Sequence, residues 1–258
     1  MKSRIILYAP NSHAGGGLIL LKSLIKIWPE GFPCQGYFDS RASELLNLEN
    51  FSSVRWVDPT ITSRLKAEMS LSQTVSSNDV IIFFNSLPPI FTCKGRVIVF
   101  LQNRNFIESI SLRSFNFKQM LRIGIERMLS YFLRSRVDEY IVQTDSFKRV
   151  LEKWYKRKNI TQDMTITVFP FMDSDNFLSA LPLERRVRQH DFIYVADGVA
   201  PKNHLALIDA WEILADLGHY PSLAITLPAS EVSLLKNICL LQKKGVKIVN
   251  LGWLSHAE

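Results

Sequence analysis

No uncharged apolar stretch in this sequence reaches the roughly 18 residues needed to span a bilayer, which points to a protein that is soluble or lies on a membrane surface. The N-terminal run Met1-Lys2-Ser3-Arg4-Ile5-Ile6-Leu7-Tyr8 is too short for a secretory signal, and Pro10, Asn11 and His13 interrupt it. Cysteine is scarce: Cys34, Cys93 and Cys239 stand far apart, odd in number and without a CxxC pair. That pattern argues against a disulfide framework or a zinc site and suits a reducing cytoplasm. In that compartment the sequon Asn159-Ile160-Thr161 carries no meaning. Two nucleotide signatures are missing as well. There is no GxGxxG with an acidic residue clearly placed about 20 positions on, which disfavours a nicotinamide cofactor. There is no GK[ST], so the glycine-rich stretch near the N-terminus is not a P-loop.

What is present describes an ordinary globular chain. Its 258 residues suit one large domain or two small ones, and 47% hydrophobic against 21% charged residues is enough to bury a core. The net charge of +7 fits an anionic partner, whether nucleotide, nucleic acid or acidic membrane, although solubility alone also explains it.

The hydrophobic pattern alternates between strands and helices. Short apolar runs predict strands at 4–9, 35–38, 54–57, 80–84, 97–101, 138–143 and 165–169. Helical spacing of Leu18, Leu21, Ile25 and Trp28 predicts a helix over 18–28, after a glycine-rich turn from Pro10 to Gly17. Further helices are expected at 62–73 and 144–156, with helix or loop at 41–48, and one long helical segment spans 106–136, broken near Ser114. The pattern then restarts, with strands at 191–196, 222–227 and 246–250 and helices at 203–217 and 230–242. Leu207, Ile208, Trp211 and Leu214 share one face of the 203–217 helix, and Gly218 closes it as a C-terminal cap. Such alternation implies parallel βαβ units in a doubly wound α/β sheet. Three strands and two helices are few for a second domain of this kind.

Four stretches could carry chemistry. Asn11-Ser12-His13-Ala14-Gly15-Gly16-Gly17 follows the first strand; its glycines let backbone approach a ligand, and the following helix offers N–H groups to an anion. A plain flexible turn is the alternative. Pro201-Lys202-Asn203-His204 places a cation at a helix mouth with Asn203 as N-cap, the makings of a diphosphate site; a solvated Lys beside a cap is the alternative. Leu101-Gln102-Asn103-Arg104 ends the fifth strand, where ligands bind in open α/β sheets, or the loop simply turns polar there. The segment 104–136 carries seven bases against two acids, with Phe and Leu residues interleaved. Arg113, Lys118, Arg122 and Arg127 on such a helix suit an anionic membrane surface. Alternatively they are solvated on a helix that packs against the sheet. Nucleic acid is disfavoured, because no recognition module accompanies the basic stretch.

Together these pieces resemble glycosyltransferase family 4, over nearly the whole chain and in order. The similarity rests on Ile5–Leu21, on Ile141-Val142-Gln143-Thr144-Asp145-Ser146, and on Thr167-Val168-Phe169-Pro170 with Asp175-Asn176-Phe177. It is most specific at Phe192-Ile193-Tyr194-Val195 with Lys202-Asn203-His204 and Leu207-Ile208-Asp209-Ala210-Trp211, and it continues at Val249-Asn250-Leu251-Gly252-Trp253-Leu254. The most specific stretch resembles the opening of the donor domain, especially in enzymes that build bacterial surface polysaccharide, either lipopolysaccharide O-antigen or capsule. The resemblance implies a GT-B fold of two Rossmann-like doubly wound domains, the second incomplete: 1–172 binding the acceptor, 173–190 a linker, and 191–258 part of the donor domain. It implies a retaining hexosyltransferase without cofactor or metal, taking a nucleotide-sugar donor and a lipid-linked oligosaccharide acceptor at the cytoplasmic face of the membrane. Gly15, Gly16, Gly17 and Lys202 would bind the donor diphosphate, and His13 and Asn103 would line the acceptor cleft; the strand-five polar position, often His in the family, is Gln102 or Asn103 here. Two departures stand out. Ala196-Asp197-Gly198 replaces the Arg that often precedes the lysine, and the family's paired glutamates would fall beyond Glu258, which would leave this chain inactive alone. A non-catalytic remnant that binds membrane or acceptor, and a nucleotide-sugar epimerase of the same fold, are the other readings.

Overall fold

A computed structural model describes residues 3–29, 31, 34–84, 87–108, 117–157, 164–170, 188–199 and 202–254. The chain divides near residue 180 into two compact units. The linker expected at 173–190 lies almost wholly outside the described residues, as do the Asp175-Asn176-Phe177 stretch and Arg113.

The first unit is built on strands β1 (Ile5–Ala9), β2 (Cys34–Asp39), β3 (Ser53–Val57), β4 (Val80–Phe83), β5 (Arg96–Phe100), β6 (Glu139–Val142) and β7 (Thr165–Val168). They form one sheet in the order β3-β2-β1-β4-β5-β6-β7, with every pairing parallel. Among the described residues its helices are α1 (Gly15–Lys26), α2 (Ile61–Thr74), α3 (Phe117–Phe132) and α4 (Asp145–Arg157). Apolar layers cover both sheet faces, as a parallel sheet requires. Strand alternation sends Ile6 and Tyr8 into the layer with Leu71 of α2 and Leu151 of α4, and Leu7 and Ala9 into the layer with Leu21 and Ile25 of α1.

Two local differences from the sequence pattern matter for the site. Helix α1 starts at Gly15, not Leu18, so the glycines form its first turn instead of preceding it. Ala14 is extended and Gly15 takes φ +58, a left-handed conformation that glycine adopts at little cost. The segment expected as one long helix is, among the described residues, a 3-10 turn (Arg104–Phe106), α3, and a second 3-10 turn (Arg134–Arg136). Ser114 lies outside those residues.

The second unit contains β8 (Phe192–Tyr194), α5 (His204–Asp216), β9 (Leu223–Ile225), α6 (Val232–Lys243) and β10 (Ile248–Asn250), with its parallel strands in the order β10-β9-β8. Ile208 and Trp211 are buried and Leu207 and Leu214 pack beside them, the face expected from their spacing. Gly218 closes α5 at φ +81: its N–H donates to the Ala215 carbonyl, and the His219 N–H to that of Leu214. This pair of bonds is a Schellman cap.

Candidate functional site

The sheet order reverses between β1 and β4, and in open α/β folds the crevice outside the carboxyl ends of such strands receives ligands. Residues 10–17 emerge there from β1. No side chain caps the N-terminus of α1, because Ala14 has no acceptor to offer. A Cβ added at Gly15 or Gly16 would meet nothing within 4 Å, so the fold itself does not crowd this turn. A Cβ at Gly17 would lie 3.6 Å from the Gln102 side-chain oxygen. Of the two polar residues ending β5, Gln102 therefore reaches the glycine turn, while its Nε2 donates to the Phe84 carbonyl at 3.0 Å and ties the end of β5 to that of β4. Asn103 is turned back on its own chain. Its Oδ1 accepts from the Asn105 N–H at 3.0 Å and caps the first 3-10 turn.

His13 sits in a charged cluster that the sequence did not announce. Asp39 at the end of β2 is fully buried, and Arg41 holds both its oxygens, Nε to Oδ1 at 2.8 Å and the terminal nitrogen to Oδ2 at 2.7 Å. His13 Nδ1 and an Arg64 nitrogen from α2 approach Oδ2 at 3.7 and 3.6 Å. Burial pushes the Asp39 carboxyl up, but the Arg41 guanidinium and amide, with His13, more than offset it and leave it below the ordinary carboxylate range. Three basic side chains around one carboxylate leave this end of the crevice electropositive. The cluster also corrects one expectation, because an acidic residue does stand at the end of the second strand. Its oxygens are occupied by Arg41 rather than open to a ribose.

In the second unit, Lys202 is exposed just before α5. The Tyr194 hydroxyl donates to its carbonyl at 2.7 Å, and its N–H donates to the Val199 carbonyl at 2.9 Å, which ties Lys202 to β8 and to Val199. Asn203 occupies the N-cap position, as expected, but differs in conformation. It is left-handed at φ 50 and its side chain makes no capping bond, so the α5 N-terminus is also uncapped. His204 is 3% exposed, its ring edge-on to Tyr194 at 5.1 Å. The Ala196 backbone lies nearby, yet neither ring nitrogen makes a hydrogen bond of good geometry among the described residues. Burial lowers its pKa against the pull of Asp197 and Glu231.

The basic residues of α3 divide. Lys118 and Arg122 are exposed, Arg122 paired with Glu126 at 2.8 Å one turn on. Arg127 does not face outward as expected; it donates to the carbonyls of Asn105 and Glu108, each at 2.7 Å, and ties α3 to the segment after β5. No helix among the described residues is long and apolar enough to cross a membrane.

The chain is similar in structure to the UDP-N-acetylglucosamine 2-epimerase of Rickettsia bellii, with a TM-score of 0.57 and 13% identity over 100% of this chain and 71% of that one. It is also similar to the lipopolysaccharide outer core galactosyltransferase WaaB in its apo form, with a TM-score of 0.50 and 12% identity over 99% and 69%. No protein-family model and no curated protein sequence matches it. At such identities the likeness is one of fold, and with the topology above it defines the class: an α/β protein of the GT-B fold, two Rossmann-like units, the second represented by three strands among the described residues. The solved structures that share this fold with the chain include both a galactosyltransferase and a 2-epimerase.

Proposed function

We propose that the chain is a family 4 type glycosyltransferase that moves a hexose, with retention, from a nucleotide sugar to a lipid-linked oligosaccharide in bacterial surface-polysaccharide synthesis. The observation that carries this reading is the N-terminus of α5, uncapped, with the exposed Lys202 at its mouth. N–H groups at the positive end of a helix dipole, with a lysine just before them in the chain, are the recognition chemistry of a diphosphate. The work of the protein is then to position donor and acceptor and to stabilise charge growing on the leaving diphosphate, with Lys202 and the α5 amides as preorganised donors. The glycines of α1 supply a second open turn at which phosphate oxygens can meet backbone.

A place at the cytoplasmic membrane face is part of this proposal and is supported by α3. At 100° per residue, Phe117, Leu121, Met128 and Phe132 fall within one arc of about 60°, and all four are exposed, Phe117 to 77% and Phe132 to 67%. The opposite face buries Ile123 and Ser130. An apolar stripe flanked by Lys118 and Arg122 is the pattern of a helix lying in a lipid interface.

The test is a transfer assay with UDP-, GDP- and dTDP-hexoses and membrane-extracted lipid-linked acceptors. Labelled sugar is expected in the lipid fraction. A free isomeric nucleotide sugar would indicate a 2-epimerase of the same fold, and nucleotide binding without turnover would leave the chain as a non-catalytic binder.

A further inference from the structure

The first unit holds an open cavity of about 510 Å³ at the carboxyl ends of β1 and β4, between α2, the segment after β4 and α3. Its walls are hydrocarbon, from Leu65, Leu87, Ile90, Leu121, Ile125 and Leu129. The polar groups at its floor already have partners: the Tyr8 hydroxyl donates to the Arg64 carbonyl at 3.2 Å, and the Glu68 carboxylate accepts the N–H groups of Ile90 and Phe91. Burial raises the Glu68 pKa, despite those N–H groups. A sugar, which needs many hydrogen-bonding partners, finds few here.

Cations stand beside these apolar walls. Arg64 and Lys118 line the cavity, as does the ion pair of Arg122 with Glu126. The Arg64 Nε is buried and makes no hydrogen bond among the described residues; a terminal nitrogen of Arg64 lies 3.6 Å from Asp39, whose two oxygens already hold Arg41. Desolvation depresses the Arg64 pKa, with Asp39 opposing. Leu121 also belongs to the exposed α3 stripe, so the cavity opens beside the surface assigned above to lipid.

We propose that this cavity binds a lipid phosphate: the apolar chain packs between α2 and α3, and the phosphate pairs with Arg64 and Lys118. Resting on the reading of a lipid-linked acceptor, this assigns the crevice to the lipid end of that acceptor rather than to its sugar. A volume within the roughly 300–1,000 Å³ of small-molecule sites accommodates such a ligand.

The experiment titrates octyl, decyl and dodecyl phosphate, below their micellar concentrations, into the full chain by calorimetry, with decanol and inorganic phosphate as controls. Affinity is expected to tighten about three- to fourfold per added methylene, with decanol at least tenfold weaker than decyl phosphate and inorganic phosphate not binding. Two variants report on fold and site separately. Leu65→Gln interrupts the apolar wall. Ile61→Asp places a carboxylate at the rim, in the first turn of α2 where a helix N-terminus favours it, so the fold is retained. Both are expected to weaken decyl phosphate at least tenfold, Ile61→Asp with an unchanged melting temperature. Affinity independent of chain length, inorganic phosphate binding as well as decyl phosphate, or no binding of decyl phosphate would overturn the proposal. UDP, GDP and dTDP are titrated in parallel. Nucleotide binding without alkyl phosphate binding removes this inference and spares the transferase reading; the converse spares the cavity and removes the nucleotide.

Discussion

At the level of single residues, the clearest distinction is between those the fold needs and those it leaves open. Gly15 serves the backbone, because φ +58 is strained for any other residue except Asn or Asp. Gly16 has no positive φ, and its added Cβ would meet open space. Gly16→Ala is therefore expected to leave stability unchanged or raise it by about 0.5–1 kcal/mol, the helix cost of glycine, while weakening nucleotide affinity. Melting curves and calorimetry on one preparation check both, and unchanged affinity would return Gly16 to a plain helix start. Asp79 is needed by the fold. It is buried and accepts from Arg4, whose terminal nitrogen lies 2.6 Å from Oδ2, and from the Ser76 N–H at 2.8 Å. The Arg4 guanidinium holds its carboxyl well below the usual range, against the opposing effect of burial. A depressed folded pKa contributes stability above the ordinary carboxylate value of about 3.9, and that stability is lost as pH falls toward the folded value. Asp79→Asn should cost on the order of 2–3 kcal/mol at neutral pH, with the gap to the unmodified protein closing below about pH 4; a gap constant with pH would contradict this assignment.

At the level of elements, α3 separates two roles that its sequence mixes. Arg127 is engaged with backbone carbonyls, whereas Lys118, Arg122 and the apolar stripe face outward. Each exposed base near an anionic surface contributes about 1 kcal/mol, screened by salt. Phe117→Ser with Phe132→Ser should abolish sedimentation with anionic vesicles, Lys118→Gln with Arg122→Gln should weaken it at low salt, and Arg127→Gln should lower the melting temperature while leaving vesicle binding intact. Sedimentation indifferent to both pairs would remove the membrane assignment. The same helix shows what is legible in a sequence. Continuous apolar runs located the strands, because burial on both sheet faces demands them, and Gly218 marked the end of α5 because a left-handed cap demands glycine. The start of α1 was not legible, because three glycines look like a turn until Ala14 and Gly15 set its direction. Gln102 and Asn103 are equally polar, and only the turn after β5 shows that Asn103 caps the chain while Gln102 reaches the glycines. The cluster of His13, Asp39, Arg41 and Arg64 was invisible because sheet order, not sequence proximity, assembles it.

For the whole molecule, the two units differ, among the described residues, in how their sheets are covered. The seven-stranded sheet of the first is covered on both faces. Among the described residues, the second covers one face with α5 and α6 and leaves Ile193 and Val249 on its strands, and Val195 just past β8, exposed, unlike a parallel sheet buried on both sides. The proposed diphosphate contact at Lys202 and the start of α5 lies among the described residues, so binding is the property to measure before turnover. The most direct test is calorimetric titration of UDP, GDP and dTDP into the full chain and into Lys202→Ala. Loss of one preorganised charge contact is expected to cost about 2–4 kcal/mol in the transition state and at least tenfold in affinity for the preferred nucleoside diphosphate. Failure of all three nucleotides to bind, or affinity within threefold after Lys202→Ala, would contradict the account.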